Sequence, residues 1–136
     1  MNAKVVYYTK SGNTQKIAEA IGSAVGCPVM DVRTKNDDAV DVLFLGASVY
    51  KFGIDKEVKA YIDGLNPAKV GEVVIFSTSA MSDSGYPKLV ALLKNRGIAV
   101  FDRHFYCRGA FMMANKNRPN QEDIAKAKAF AVDFLK

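Results

Sequence analysis

Apolar residues along this chain fall into two alternating kinds of segment. Residues 4–8 (KVVYY) form a short β-branched and aromatic run, which breaks at Thr9-Lys10-Ser11-Gly12-Asn13, a cluster of turn formers. That pattern reads as a strand leaving into a loop. From Thr14 the apolar positions fall at Ile17, Ala20, Ile21, Ala24 and Val25, the spacing of one helix face, and Gly26 then Pro28 close the segment. Residues 29–32 make a second strand. Residues 42–45, entered from the polar stretch 34–41, form a continuous apolar run of the kind buried on both faces.

The alternation continues to the end of the chain. Val58, Ile62 and Leu65, with Tyr61 beside them, mark a second helix ending near Asn66-Pro67, and residues 73–76 are another buried strand. Leu89, Leu92 and Leu93 give a third helix stopped at Arg96-Gly97. A fifth strand starts at residues 98–101, and Ile124, Ala127, Ala131 and Phe134 give the last helix. Strands alternating with helices imply βαβ crossovers and a parallel sheet covered on both faces, an α/β architecture. In such a sheet ligands bind beyond the carboxyl ends of the strands, where the strand order reverses. The chemistry is therefore expected in the loops at residues 9–14, 47–53 and 77–86.

Composition bounds this picture without changing it. With 136 residues, 49% apolar and 24% charged, the chain is expected to be one domain over residues 1–136, with a core that needs no staples. No stretch approaches the ~18 apolar residues of a membrane span and the first residues lack a secretory pattern, so a soluble, cytoplasmic protein is expected. Cys27 and Cys107 stand alone and His104 is the single histidine, which argues against a disulfide framework or a zinc site. The net charge of +5 is unevenly placed: between residues 88 and 118, seven basic residues (Lys88, Lys94, Arg96, Arg103, Arg108, Lys116, Arg118) face Asp102 alone. They form no run, so they read as solvated surface and not as a nucleic-acid interface.

The first loop carries the strongest chemical signal. Thr9, Ser11 and Thr14 supply three hydroxyls around Gly12 between a strand and a helix start, where N–H groups and the helix dipole favour a phosphate. It has neither the GK[ST] ending of a P-loop nor a GxGxxG. The alternative is a plain capped turn, with Asn13 or Thr14 as the helix cap.

Thr9-Lys10-Ser11-Gly12-Asn13-Thr14 resembles the flavodoxin signature T/S-x-T/S-G-x-T, and the resemblance extends over nearly the whole chain. It implies a flavodoxin-like, doubly wound five-stranded parallel sheet of order 2-1-3-4-5, with the FMN phosphate held by Thr9, Lys10, Ser11, Gly12, Asn13 and Thr14. In the segment Ser48, Val49, Tyr50, Lys51, Phe52, Gly53 it implies an aromatic stacked on the isoalloxazine, with Tyr50 the first choice and Phe52 the second. The alternative is that both rings pack under the following helix. Asp83-Ser84-Gly85-Tyr86 resembles the loop covering the other flavin face, which makes Tyr86 a second stacking ring, while Ser77, Thr78 and Ser79 bring N–H groups near the pyrimidine edge. Pro87 also allows Tyr86 to be simply the start of a helix.

Two departures qualify the resemblance. Many electron-carrying flavodoxins are acidic, and this chain is basic. Flavodoxins often place a glycine after the stacking aromatic, whereas Lys51 stands here, and a non-glycine residue costs ~1–2 kcal/mol in a left-handed conformation. The implied function is FMN-dependent electron transfer between a reductase and an acceptor protein. Residues 46–53 also resemble flavodoxin-type protoporphyrinogen oxidases, leaving open an FMN oxidoreductase for a quinone or tetrapyrrole. A flavin-free protein-binding module is the remaining alternative.

Other patterns are weaker. Cys27 and Arg33 match the C-x5-R of cysteine phosphatases, but the residues between read as a strand that cannot curl around a phosphate. Receiver-domain phosphoryl acceptance needs acidic residues where Thr9-Lys10 and Ala47-Ser48 stand. His104 is expected to pack or face solvent, and Cys107-Arg108-Gly109-Ala110-Phe111 reads equally as part of a docking surface or as a plain loop turning at Gly109.

Overall fold

The computed structural model describes residues 2–10, 12–50, 53–79, 85–109 and 117–135. Strand β1 (Ala3–Tyr8) is an inner strand of a parallel sheet, because its alternating side chains serve both faces: Val6 and Tyr8 enter one apolar layer, Val5 and Tyr7 the other. β2 (Val29–Asp31) and β3 (Val40–Tyr50) flank it, β5 (Val70–Ser79) lies beyond β3, and β6 (Phe105–Arg108) closes the edge. Along the order β2-β1-β3-β5-β6 every pair is parallel. A short β4 (Gly53–Ile54) folds back antiparallel on the end of β3, pairing Tyr50 with Gly53 and Val49 with Ile54. With β4 set aside, this is the 2-1-3-4-5 order expected from the flavodoxin resemblance.

Among the described residues four α-helices cover the sheet. Val58 and Ile62 of α2 (Lys56–Asp63) and Leu89 and Leu93 of α3 (Gly85–Asn95) pack with Leu43, Leu45, Val73 and Ile75 on one face. On the other, Ile17 and Ile21 of α1 (Asn13–Val25) and Ala127 and Ala131 of α4 (Gln121–Leu135) pack with Phe44, Val74 and Phe76. Full burial of such side chains contributes ~1.5–3 kcal/mol each, which makes these two layers the main support of the fold. None of the described helices is long and apolar enough to cross a membrane.

The structure corrects the expected elements in three places. β3 and β5 run several residues past the apolar cores at 42–45 and 73–76, through Ser48, Ser77, Thr78 and Ser79. Much of what reads as loop is therefore strand, because parallel pairing continues at Ala47 with Ser77 and Ser48 with Thr78. β4 carries no pattern of its own and exists only as the return of β3. The fifth strand is broken: Val100 bridges Val73, yet Phe105 pairs with Phe76, so one strand advances five residues while its neighbour advances three. The polar step Asp102-Arg103-His104 takes up the excess, with the Arg103 guanidinium 5.2 Å from the Phe101 ring centre.

At the amino-terminal edge Lys4, only 4% exposed, directs its ammonium to Asn36 O and Oδ1 and to Asp38 O at 3.3–3.4 Å. It thereby holds the β2–β3 connection. A cavity of about 550 Å³ opens beside it, between that connection and the end of α2.

Candidate cofactor site

The loop after β1 is shaped by one hydroxyl and one glycine. Thr9 Oγ1 accepts the Gly12 N–H at 2.8 Å, and Gly12 turns left-handed at φ 90°. A Cβ at Gly12 would meet nothing within 4 Å, so the backbone there faces open space. The first intrahelical bond of α1 runs from the Lys16 N–H to Gly12 O at 3.2 Å. Gly12 is the helix cap and has no side chain to offer, so the N–H groups of the first turn, at Thr14 and Gln15 for instance, have no intrahelical acceptor. This corrects the capped-turn reading, since Asn13 and Thr14 both lie inside the helix.

The Thr14 side chain turns inward. Its Oγ1 lies 2.7 Å from Ser48 Oγ and 2.9 Å from Thr78 Oγ1, and the three residues are 0%, 5% and 2% exposed. This hydroxyl cluster fastens the start of α1 to the carboxyl ends of β3 and β5. On the opposite face of β5, the fully buried Ser77 keeps an Oγ without a partner. Ser79 O accepts the Gly109 N–H at 3.1 Å and the Tyr106 hydroxyl at 3.4 Å. A Cβ on Gly109 would stand 2.9 Å from Asn13 Nδ2. The segment read as a plain loop at Gly109 is thus closely packed on the start of α1, and the lack of a side chain there is its only sequence signal.

Asp55 was not visible in the sequence as a site residue. It stands before α2, 8% exposed, with Oδ1 3.0 Å from the Lys10 ammonium and Oδ2 buried without a partner. Nearby, burial and the Glu57 carboxylate push the Tyr8 phenol above its ordinary value. The Arg33 guanidinium lies 5.3 Å from the Tyr8 ring centre and forks onto Asp31 at 2.9 Å. Arg33 is accordingly committed to a carboxylate, and Cys27, whose thiol burial pushes up, lies ahead of β2. Neither is arranged to curl around a phosphate.

Tyr86 opens α3 with defined partners. Its ring stacks on His104 at 3.9 Å with 12° between planes, and its hydroxyl donates to Phe101 O at 3.0 Å. One face and the hydroxyl are therefore engaged within the protein. Ser11, Lys51 and Phe52 lie outside the described residues; of Val49 and Tyr50 only the backbone pairing in β3 is described. Gly53, at φ 112°, leaves Lys88 Nζ 3.8 Å from where its Cβ would stand. The basic cluster of the second half is dispersed: Arg96 donates to Leu65 O at 2.8 Å, Arg118 pairs with Asp123, and Arg103 covers Phe101.

A phosphate monoester fits what is present. A glycine turn facing open space and an N-terminus with no side-chain cap supply neutral N–H donors at the carboxyl edge of a parallel sheet. The fold defines a doubly wound α/β protein of the class whose ligands bind beyond the carboxyl ends of the strands. The chain belongs to the flavodoxin domain family, whose profile matches residues 4–112, and FMN is the cofactor of that family. It is 28% identical to an uncharacterized protein of Methanocaldococcus jannaschii over 100% of this chain and 99% of that one. Among solved structures it is similar to a flavodoxin from the domain Archaea, with TM-score 0.78 and 19% identity over 98% of this chain and 95% of that one. It is also similar to oxidised Flavodoxin 2 from Bacillus cereus, with TM-score 0.72 and 18% identity over 99% and 98%.

Proposed function

We propose that this protein is an FMN-dependent electron carrier in the cytoplasm, taking reducing equivalents from a reductase and passing them to a separate acceptor protein, with residues 1–136 acting as one FMN-binding domain. The observation that carries the reading is the Gly12 turn, held by Thr9 and opening α1 without a side-chain cap beside the ends of β1, β3 and β5. Bound FMN supplies the redox chemistry, and the protein supplies binding, orientation and electrostatics. Thr9 keeps the turn in shape, while the first N–H groups of α1 and the hydroxyl of Ser11 take the phosphate. Thr14 anchors the helix start through Ser48 and Thr78. Tyr50 stacks on the isoalloxazine, with Phe52 as its alternate, and the end of β5 at Ser77, Thr78 and Ser79 borders the pyrimidine edge.

A fluorescence titration of the apoprotein with FMN and with riboflavin tests the cofactor assignment. Hydrogen bonds to a charged group contribute ~1.5–3 kcal/mol each, so losing several should weaken riboflavin by orders of magnitude. Equal affinities would remove the phosphate site from the argument. Photoreduced holoprotein mixed with oxidised cytochrome then tests the carrier role. Stoichiometric reoxidation is expected, and failure to reduce any protein acceptor, with turnover of a quinone instead, would favour an enzyme.

A further inference from the structure

Aspartate is a preferred helix cap, and Asp55 occupies the cap position of α2 with φ −59° and ψ 144°, yet its side chain makes no capping bond. The carboxylate instead points to Lys10 on the phosphate loop, 3.0 Å away, and leaves Oδ2 desolvated. Lys10 is well exposed, with 59% of its side chain accessible, whereas the Asp55 side chain is 7% accessible. A buried carboxylate with one bare oxygen holds its cation tightly, since losing it leaves an uncompensated charge in a poorly solvated place. Arg33 offers no substitute, being forked onto Asp31, and Glu57 adds a second buried, unpartnered carboxylate oxygen to the same corner.

We propose that Asp55 is a specificity-determining residue that withholds the Lys10 ammonium from the cofactor phosphate. The inference rests on the 9–14 loop being the phosphate site. With its cation retained by Asp55, the loop must bind phosphate through directional, neutral N–H and hydroxyl donors. Affinity then depends on how well a phosphate monoester fits the Gly12 turn and little on bulk electrostatics.

The test is a double-mutant cycle on FMN and riboflavin affinity at low and high salt. Asp55→Asn should tighten FMN about tenfold at low salt, with the gain fading as salt screens the released ammonium. Lys10→Met should cost at least about fivefold more affinity in the Asp55→Asn background than in the native one. Riboflavin, lacking the phosphate, should report no gain with Asp55→Asn. An Asp55→Asn protein that binds FMN no tighter, or equal losses from Lys10→Met in both backgrounds, overturns the inference. If Asp55→Asn does not fold, Lys10→Met in the native background decides: unchanged FMN affinity is expected, and a loss of affinity that fades with salt means that Lys10 already serves the phosphate. Equal native affinities for FMN and riboflavin would instead remove the underlying phosphate reading.

Discussion

Thr14 Oγ1 stands 2.7 Å from Ser48 Oγ in a buried part of the protein, and this contact joins the first turn of α1 to the end of β3. With Thr78 as the third member, the buried hydroxyls satisfy one another. Thr14→Val keeps the shape but strands two buried hydroxyls, so the apoprotein should lose about 1–3 kcal/mol in urea unfolding. Thr14→Ser should recover most of it. A Thr14→Val apoprotein as stable as the native one would show that the hydroxyl cluster does not stabilise the start of α1.

Gly12 tests the turn by a different route. Its φ of 90° is unfavourable for any residue with a Cβ, although a Cβ there meets no neighbour. Gly12→Ala should therefore cost about 1–2 kcal/mol of backbone strain and no steric clash. FMN should weaken as the turn relaxes, while riboflavin, which makes no use of the turn, should bind as before. Parallel titrations of the two flavins measure this, and equal loss for both would mean that the turn supports the ring site instead.

These contacts mark the limit of what could be read in advance. The α1 face of Ile17 and Ile21, the buried runs at 42–45 and 73–76 and the Gly26 stop were legible because burial imposes periods of 3.6 or 2 on apolar residues. The order of the strands followed from the flavodoxin resemblance carried by the motif after β1. The extension of β3 and β5 was hidden, because Ser48, Ser77 and Thr78 are turn formers by type and are strand residues only through pairing across the sheet. Asp55 was hidden for a similar reason: forty-five positions separate it from Lys10, and only tertiary structure brings them within 3.0 Å. The break at 102–104 serves the Tyr86–His104 stack, a contact between distant residues that no local pattern announces.

Tyr86 separates a structural ring from a flavin-stacking ring. Its hydroxyl bond to Phe101 O should contribute about 0.5–1.5 kcal/mol, so Tyr86→Phe should lower apoprotein stability by that amount and leave bound-FMN emission dark. Tyr50→Ala, by contrast, should brighten the bound flavin, because a stacked ring quenches it. Should Phe52→Ala brighten it and Tyr50→Ala not, the stacking ring is Phe52. A bright flavin in Tyr86→Ala, with Tm no lower than native, would return Tyr86 to the flavin.

The last prediction concerns acid. Arg118 forks onto Asp123 at 2.5 and 2.6 Å, the Asn120 N–H donates to the same carboxylate at 2.8 Å, and the Asp123 N–H donates back to Asn120 Oδ1 at 3.0 Å. Burial alone would raise the Asp123 carboxyl. The Arg118 fork, the Asn120 N–H and the charge of Lys126 outweigh it and hold the group below its ordinary 3.8. A carboxyl whose folded value is depressed stabilises the protein above its unfolded value, and that contribution is lost as pH falls through the folded value. Asp123→Asn should accordingly cost about 1–3 kcal/mol between roughly pH 5 and 8, through the lost charge-assisted bonds at the start of α4. As pH falls past the ordinary 3.8 and through the lower folded value, that contribution is lost and the difference between the two should shrink. Urea unfolding across that range measures the gap. A gap that stays constant down to pH 3 would mean that the Asp123 charge does not stabilise the α4 start.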